Sequence, residues 1–265
     1  MQYHRPQTLN DALKLLFSGE RAALPLAGGT RLVPEQRHKA DALVDLQALG
    51  LDAIVPGDDF LTLGAMVKLQ TLVTANSVPS VLATAAKNEA PINRRNMATV
   101  GGTIVAAAAN SEVLTALLAF DTQLLRFTPA ESSLSLADYL TEAESVGLIT
   151  QLRLDTRGQS ASARLVRTPA DAPIVAATVR LVMQGQICQQ AFIALAGASP
   201  RPIRLPEAEA ALSGQSLTPE TPDALAQLVS QSVSPVSDYR GSSAYRRQMA
   251  GVIVRRAVAS LINEQ

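Results

Sequence analysis

Two glycine motifs constrain this chain more than any other feature of its sequence. Each places a Gly-Gly pair directly before a threonine, one within residues 26–31 and the other within residues 97–108. Glycine lets backbone N–H groups approach a ligand closely, because no Cβ stands in the way. Successive free N–H groups form a concave site for an anion such as a phosphate. One Gly-Gly pair alone is more often only a tight turn, but the repeated motif favours two loops that hold one diphosphate between them.

The composition argues against several classes of binding partner and several kinds of metal site. The 265 residues include 23 basic and 23 acidic side chains, and this balance argues against nucleic acid or an anionic membrane surface as the main partner. A single cysteine, Cys188, excludes an internal disulfide and an iron–sulfur cluster held by cysteines of this chain alone. His4 and His38 are the only histidines and offer little for a metal site. We find neither a secretory signal nor an apolar run of membrane-spanning length, so we expect a cytoplasmic protein.

Local patterns predict an α+β protein. The first fifty residues predict a helix at Leu9–Phe17 and then a small unit of strand, glycine loop and strand. Further along, helices are predicted at 68–74, 80–89, 112–120 and 136–140, and strands at 60–65, 124–127 and 148–154. The last part predicts strands at 161–166, 178–183 and 187–195, and then helices at 206–212, 222–233 and 243–262.

Two turn-rich segments, at 56–59 and 155–160, indicate the domain boundaries. We therefore predict two subdomains at 1–56 and 57–156 and a C-terminal domain at 157–265. In the C-terminal domain the strands precede the helices, and the second and third strands flank Gly185 in a short hairpin. This order is typical of an α+β domain in which helices pack on one face of a small antiparallel sheet.

Five segments in a fixed order carry a resemblance to a known family. They are residues 3–13, residues 26–30, residues 95–102 with 114–119, residues 196–204 and residues 237–247. Together they resemble the FAD-binding medium subunit of the molybdenum hydroxylases, the family of carbon monoxide dehydrogenase and xanthine dehydrogenase-type enzymes. The resemblance covers nearly the whole chain and implies a two-part FAD-binding domain of the PCMH type, followed by a C-terminal α+β domain.

The resemblance also implies a function in a larger complex. It implies FAD as the cofactor, a small partner subunit with two iron–sulfur clusters and a large partner subunit with the molybdopterin cofactor. Electrons released at molybdenum would pass through the clusters to this flavin and then to an external acceptor. The chain would then be the flavoprotein subunit of an oxidoreductase, with no metal and no catalytic residue of its own, because the flavin supplies the chemistry.

Cofactor-binding residues follow from the same resemblance. Backbone N–H groups of the two glycine motifs would surround the diphosphate and the ribityl chain, helped by the hydroxyls of Thr30 and Thr99. Glu112 stands where the family usually has an aspartate near the flavin. Leu148 and Ile149 fall near an apolar position that covers the isoalloxazine ring, although a plain strand core explains them equally well. The full set is Leu26, Ala27, Gly28, Gly29, Thr30, Arg31, Ala98, Thr99, Val100, Gly101, Gly102, Thr103, Glu112, Leu148 and Ile149.

Three departures from the family keep other functions open. Thr103 replaces the preferred asparagine, and Glu112 is one methylene longer than aspartate. Ala163 stands in the place of a frequent lysine, while Arg164 follows it on the opposite side of a strand. One alternative is a divergent, flavin-poor scaffold subunit of the same family, and another is a stand-alone flavin oxidoreductase on a related fold. A visible spectrum separates them, because a colourless protein that takes up no added FAD would favour the scaffold.

Overall fold

The computed structural model describes residues 1–19, 22–35, 41–128, 130–142 and 147–263, which form three sheets with helices between them. The first sheet is parallel, and its strands are β1 (Gln2–His4), β2 (Ala23–Leu26) and β3 (Ala42–Asp45), with β3 in the middle. The predicted helix α1 (Leu9–Phe17) begins after Thr8, whose Oγ1 accepts a hydrogen bond from the N–H of Asp11 at 3.2 Å. A short helix, α2 (Leu32–Glu35), follows β2.

The second sheet is antiparallel and five-stranded. Its strands are β4 (Ile54–Pro56), β5 (Phe60–Gly64), β6 (Gln123–Phe127), β7 (Glu131–Ser135) and β8 (Leu148–Asp155), in the order β4-β5-β8-β6-β7. The helices of this part are α3 (Leu69–Thr74), α4 (Ser80–Glu89), α5 (Ile92–Arg95), α6 (Val100–Ala106), α7 (Glu112–Ala119) and α8 (Leu136–Thr141). Helix α7 is buried along its whole length, so it forms the centre of this core.

The third sheet is also antiparallel, and it carries the C-terminal helices. Its strands are β9 (Gln159–Leu165), β10 (Val175–Gln184), β11 (Ile187–Ala196) and β12 (Ile203–Arg204), in the order β12-β11-β10-β9. The helices are α9 (Pro206–Leu212), α10 (Thr221–Ser232) and α11 (Ser243–Asn263). The predicted fold class is therefore confirmed, and so is the hairpin between β10 and β11, where Gly185 has a φ of +58°. Within the described residues, no helix has both the length and the apolar character needed to cross a membrane.

Helix α7 covers the face of the third sheet that the C-terminal helices leave free. Val175, Ala177 and Val179 of β10 join the core with α11, whereas Ala194 of β11 joins the core around α7. Alternate residues of a strand point to opposite faces, so β10 is buried on both sides from Val175 to Leu181. This double burial explains why β10 starts three residues before the predicted strand: its first residues carry no alternating pattern.

One buried arginine joins the second and third sheets. Arg180 of β10 is fully buried, and its Nε donates to the carbonyl oxygen of Ala119 at 2.8 Å. Its Nη1 donates to the carbonyl oxygen of Arg157 at 2.9 Å and lies 3.3 Å from the Oδ2 of Asp155. The guanidinium also lies over the ring of Phe192, 3.9 Å from the centroid. The contact ties the end of α7 and the end of β8 to the third sheet.

One expectation about local structure was wrong. The second glycine motif is not a loop: Gly101 and Gly102 lie in the first turn of α6. One strand was not predicted: residues 54–56 form β4, which pairs with β5, so the second sheet begins before the turn cluster at 56–59. Short apolar strands such as Ile54–Pro56 lack a strong periodic signal, and the pairing partner decides whether they form.

Candidate functional site

The first glycine motif is a turn with free backbone donors. It follows β2, and Gly29 has a φ of +66°, which glycine adopts at little cost. Within the described part of the chain, no acceptor pairs with the backbone N–H groups of Gly28, Gly29 or Thr30. Three adjacent unpaired donors are unusual for a folded chain unless they face water or a ligand. This turn therefore has the donor set that an anion needs.

The second glycine motif uses its backbone donors inside the protein. The N–H of Val100 donates to the carbonyl of Val67, and that of Gly101 donates to the carbonyl of Ala65. The N–H of Gly102 donates to Oγ1 of Thr99 at 3.1 Å, so Thr99 is the N-cap of α6. The N–H groups of residues 100–103 are therefore used within the protein, contrary to the expectation that they are free for a diphosphate. Threonine at an N-cap favours the start of a helix, and in this motif that preference outweighs the loop that the glycine pair indicates.

The two glycine motifs touch each other through their backbones. A Cβ built on Gly28 would lie 1.9 Å from the carbonyl oxygen of Met97 and 3.2 Å from the Cα of Ala98. No side chain fits at that distance, so only glycine allows this contact. The motifs, far apart in sequence, thus form adjacent walls of one site.

An elongated cleft runs between these walls. It consists of three adjoining cavities of about 190, 250 and 270 Å³, which share lining residues. Of the predicted residues, the first cavity contains Ala27, Gly28, Gly29, Thr30, Arg31, Thr99, Gly101, Gly102, Leu148 and Ile149. The second cavity adds Ala98, Thr103 and Glu112. Leu26 and Val100 line none of the three, and Val100 is fully buried in the core.

Sequence reasoning missed several residues of the cleft. Leu46, at the end of β3, and Met66, after β5, line the first cavity together with Leu148 and Ile149. The third cavity is lined in part by Asp52 and other residues of the segment between β3 and β4. The place of Leu46 in the cleft was predictable, because Leu46 follows a buried parallel strand at the same edge of the sheet as the first glycine turn.

Glu112, which lines the second cavity, forms a largely buried ion pair. Nε of Arg164 lies 3.1 Å from Oε1 of Glu112, and Nδ2 of Asn88 donates to Oε2 of Glu112 at 3.1 Å. Burial raises the pKa of Glu112, and Asn88 and Arg164 oppose the rise. Two departures from the family, the longer carboxylate at Glu112 and Arg164 in place of the neighbouring lysine position, therefore meet in one contact. That contact also links α7 to β9.

Replacing Arg164 with alanine is expected to destabilise the protein by about 1–3 kcal/mol, because it removes the cation beside a buried carboxylate. Only 8% of Glu112 is exposed. Arg167→Ala is the matched control, since the pair of Arg167 with Asp171 is half-exposed and should contribute at most about 1 kcal/mol. Urea unfolding of both variants measures the difference. An equal decrease in the free energy of unfolding in the two variants would show that the contact of Arg164 with Glu112 contributes no more to stability than an exposed ion pair.

A second carboxyl, Glu89, lines the same cavity. It ends α4, and its Oε2 accepts a hydrogen bond from the N–H of Val113, in the first turn of α7, at 3.1 Å. Burial raises the pKa of Glu89 to about 7, although hydrogen bonds from α7 oppose the rise. The sequence contained no clue to this group, because only the fold brings the end of α4 to the start of α7.

The cleft fits a long dinucleotide better than a compact ligand. The N–H groups of Gly28, Gly29 and Thr30, which have no acceptor among the described residues, suit a diphosphate. Leu148 and Ile149 provide an apolar wall for a flat ring, and adjoining cavities continue on both sides. These features match FAD. Among the described residues, no group of three or more His, Cys, Asp and Glu side chains could hold a metal ion, and His38 lies outside them.

Comparison with known proteins agrees with this geometry. Residues 1–154 match the family model described as FAD binding domain in molybdopterin dehydrogenase, and residues 161–261 match the CO dehydrogenase flavoprotein C-terminal domain. The chain is 33% identical over 257 residues to the protein YgfM of Escherichia coli strain K12, and the match covers 96% of this chain and 93% of YgfM.

Relatives with a named activity are equally similar along their length. The chain is 32% identical over 277 residues to the carbon monoxide dehydrogenase medium chain of Afipia carboxidovorans, covering 97% of this chain and 94% of the relative. In the structure of reconstituted CO dehydrogenase from Oligotropha carboxidovorans, one chain matches with a TM-score of 0.90 and 27% identity, covering 100% of this chain and 98% of that one. The chain therefore belongs to the family of FAD-binding medium subunits of CO and xanthine dehydrogenase-type molybdenum hydroxylases, and it is an oxidoreductase subunit.

Proposed function

We propose that the chain is an electron-transfer subunit, which receives electrons from the iron–sulfur clusters of a small partner subunit and passes them through FAD to an external acceptor. A large molybdopterin subunit would carry out the hydroxylation that releases the electrons. The observation that carries this proposal is the cleft in which three N–H donors, unpaired among the described residues, lie beside an apolar wall. Bound FAD would supply the electron-transfer chemistry.

The first cavity favours a cofactor carrier over an acid–base enzyme. Arg31 is the only ionisable side chain among its lining residues in the described part of the chain. General acid–base catalysis on a substrate needs a titratable group within hydrogen-bond reach of the reacting atom. The lining of the first cavity therefore favours electron transfer within a complex over a stand-alone flavin oxidoreductase.

We further propose which residues hold the cofactor. The N–H groups of Gly28, Gly29 and Thr30 would bind the diphosphate, and the apolar side chains of Leu148 and Ile149 would exclude water from one face of the ring system. In the second motif, exposed Gly102 would let the ligand approach the start of α6, because it carries no side chain. Thr99 would act through the backbone geometry that its cap imposes.

The surface around the cleft supports a protein partner. Met97 and Val105 are large apolar side chains at the cleft, and each is more than half exposed. Exposed apolar groups beside a ligand site are typical of contact surfaces. We also propose that the three sheets mark three units, close to the predicted ranges 1–56, 57–156 and 157–265, with the first boundary moved to a point before β4.

Purification of the tagged chain from its native host tests this function. We expect the visible absorption bands of oxidised flavin, one FAD per chain, and iron and molybdenum in subunits that co-purify. Visible spectroscopy, FAD release and metal analysis measure these quantities. A colourless chain that takes up no added FAD would contradict the proposal and favour the scaffold subunit. Flavin without any iron–sulfur or molybdenum partner would instead favour a stand-alone oxidoreductase.

A further inference from the structure

We propose that Glu89 couples the binding of the cofactor to the uptake of a proton. FAD would bind to the protein in which Glu89 is uncharged, and it would be released more readily when Glu89 ionises. This inference rests on the proposed function, because it assumes that FAD occupies the cleft. Its basis is the place of the Glu89 carboxyl in the second cavity, among residues of both glycine motifs.

Glu89 faces the cofactor cleft at the point where three parts of the chain meet. Thr30 of the first glycine turn and Gly102 and Thr103 of α6 line the same cavity. The carboxyl accepts a hydrogen bond from the N–H of Val113, and the side chain of Ser111 also interacts with it. A ligand that extends from the first cavity into the second would therefore enter a cavity that Glu89 lines.

The charges around Glu89 do not neutralise it. One other acidic group lines its cavity, Glu112 on α7, and it contacts Arg164 on β9. Three basic groups line the same cavity: Arg94 at the end of α5, Arg240 in the segment before α11 and Arg31 in the first glycine turn. Among the described residues, no lysine or arginine forms an ion pair with Glu89, and the negative charge of Glu112 disfavours its ionisation. Arg164 forms its ion pair with Glu112.

These surroundings make Glu89 sensitive to the cofactor. Burial already raises the pKa of Glu89 to about 7, so part of the molecules carry the proton at neutral pH. FAD brings a negatively charged diphosphate and displaces water from the cleft, and both effects disfavour a carboxylate. Binding must then raise the pKa further and take up a proton. By linkage, the affinity for FAD is expected to fall about tenfold between pH 6 and pH 8.

The experiment compares FAD affinity at pH 6, 7 and 8 in the wild-type chain and in the Glu89→Gln variant. Glutamine keeps an oxygen that accepts from the N–H of Val113 but cannot ionise. We expect the dissociation constant of the wild type to rise about tenfold from pH 6 to pH 8, and that of Glu89→Gln to change less than about twofold. Glu131→Gln, an exposed carboxyl on β7, is the control and should keep the wild-type slope.

A second measurement keeps the proposal testable if Glu89→Gln fails to fold. Calorimetry of FAD binding to the wild type in two buffers of different ionisation enthalpy reports the protons exchanged, and net uptake is expected near pH 7.5. A wild-type affinity independent of pH, absence of proton uptake, or an unchanged slope in Glu89→Gln would overturn the role of Glu89 and leave the proposed function intact. Absence of FAD binding at every pH would instead contradict the proposed function.

Discussion

Replacing Gly28 with alanine is expected to abolish FAD binding under ordinary assay conditions and to destabilise the chain by about 1–3 kcal/mol. The reason is a backbone clash: the new Cβ would lie 1.9 Å from the carbonyl oxygen of Met97. Neither backbone can yield without moving a glycine motif. The unpaired N–H groups of the first turn would then lose their alignment. Loss of two charge-assisted hydrogen bonds, at about 1.5–3 kcal/mol each, weakens binding at least about hundredfold.

Gly102→Ala is the matched control for this variant. A Cβ on Gly102 would meet only Oγ1 of Thr99, at 3.0 Å, and alanine suits a helix better than glycine by about 0.5–1 kcal/mol. We expect this variant to keep wild-type stability, while its methyl group at the cleft reduces FAD affinity. Thermal unfolding and FAD titration separate the two effects. A Gly28→Ala protein with normal stability and normal FAD affinity would show that the two motifs need not touch.

Several local elements were predictable because neighbouring residues decide them. Helix α1 begins where Thr8 can cap it, and the hairpin between β10 and β11 turns at Gly185, whose positive φ suits glycine. The walls of the cleft were also anticipated, since ten residues predicted for the site line its first cavity. Which of them contact FAD stays a prediction.

Other features depend on contacts between distant residues, and no local pattern contains them. The second glycine motif forms α6 because the carbonyls of Ala65 and Val67 accept its N–H groups, and both belong to the segment after β5. Glu112 and Arg164 meet only because α7 packs near β9. The raised pKa of Glu89 likewise arises from burial against α7. The identity of each residue is visible in the sequence, but only the tertiary fold determines which partner each residue contacts.

The ion pair between Asp155 and Arg180 is expected to make the largest single contribution of any side-chain pair discussed above. Asp155→Ala should cost about 3–5 kcal/mol, because it removes the carboxylate that forms an ion pair with fully buried Arg180. Carbonyl oxygens of Ala119 and Arg157 would remain as its only hydrogen-bond acceptors among the described residues. The free energy of unfolding in urea at neutral pH measures this loss.

Two further variants and the pH dependence determine whether the buried charge causes the loss. Arg157→Ala removes the exposed partner of Asp155 but keeps the carbonyl that Arg180 uses, so it should cost at most about 1 kcal/mol. Adding Arg180→Met to Asp155→Ala should recover stability, since no unpaired charge then remains.

Burial opposes ionisation of Asp155, but Arg157 and Arg180 together lower its pKa. Its contribution is therefore complete above the unfolded pKa of 3.8 and is lost as pH falls through the lower folded value. If the double variant is less stable than Asp155→Ala, packing and hydrogen bonds of Arg180 outweigh its charge, and the assignment to an unpaired cation is wrong.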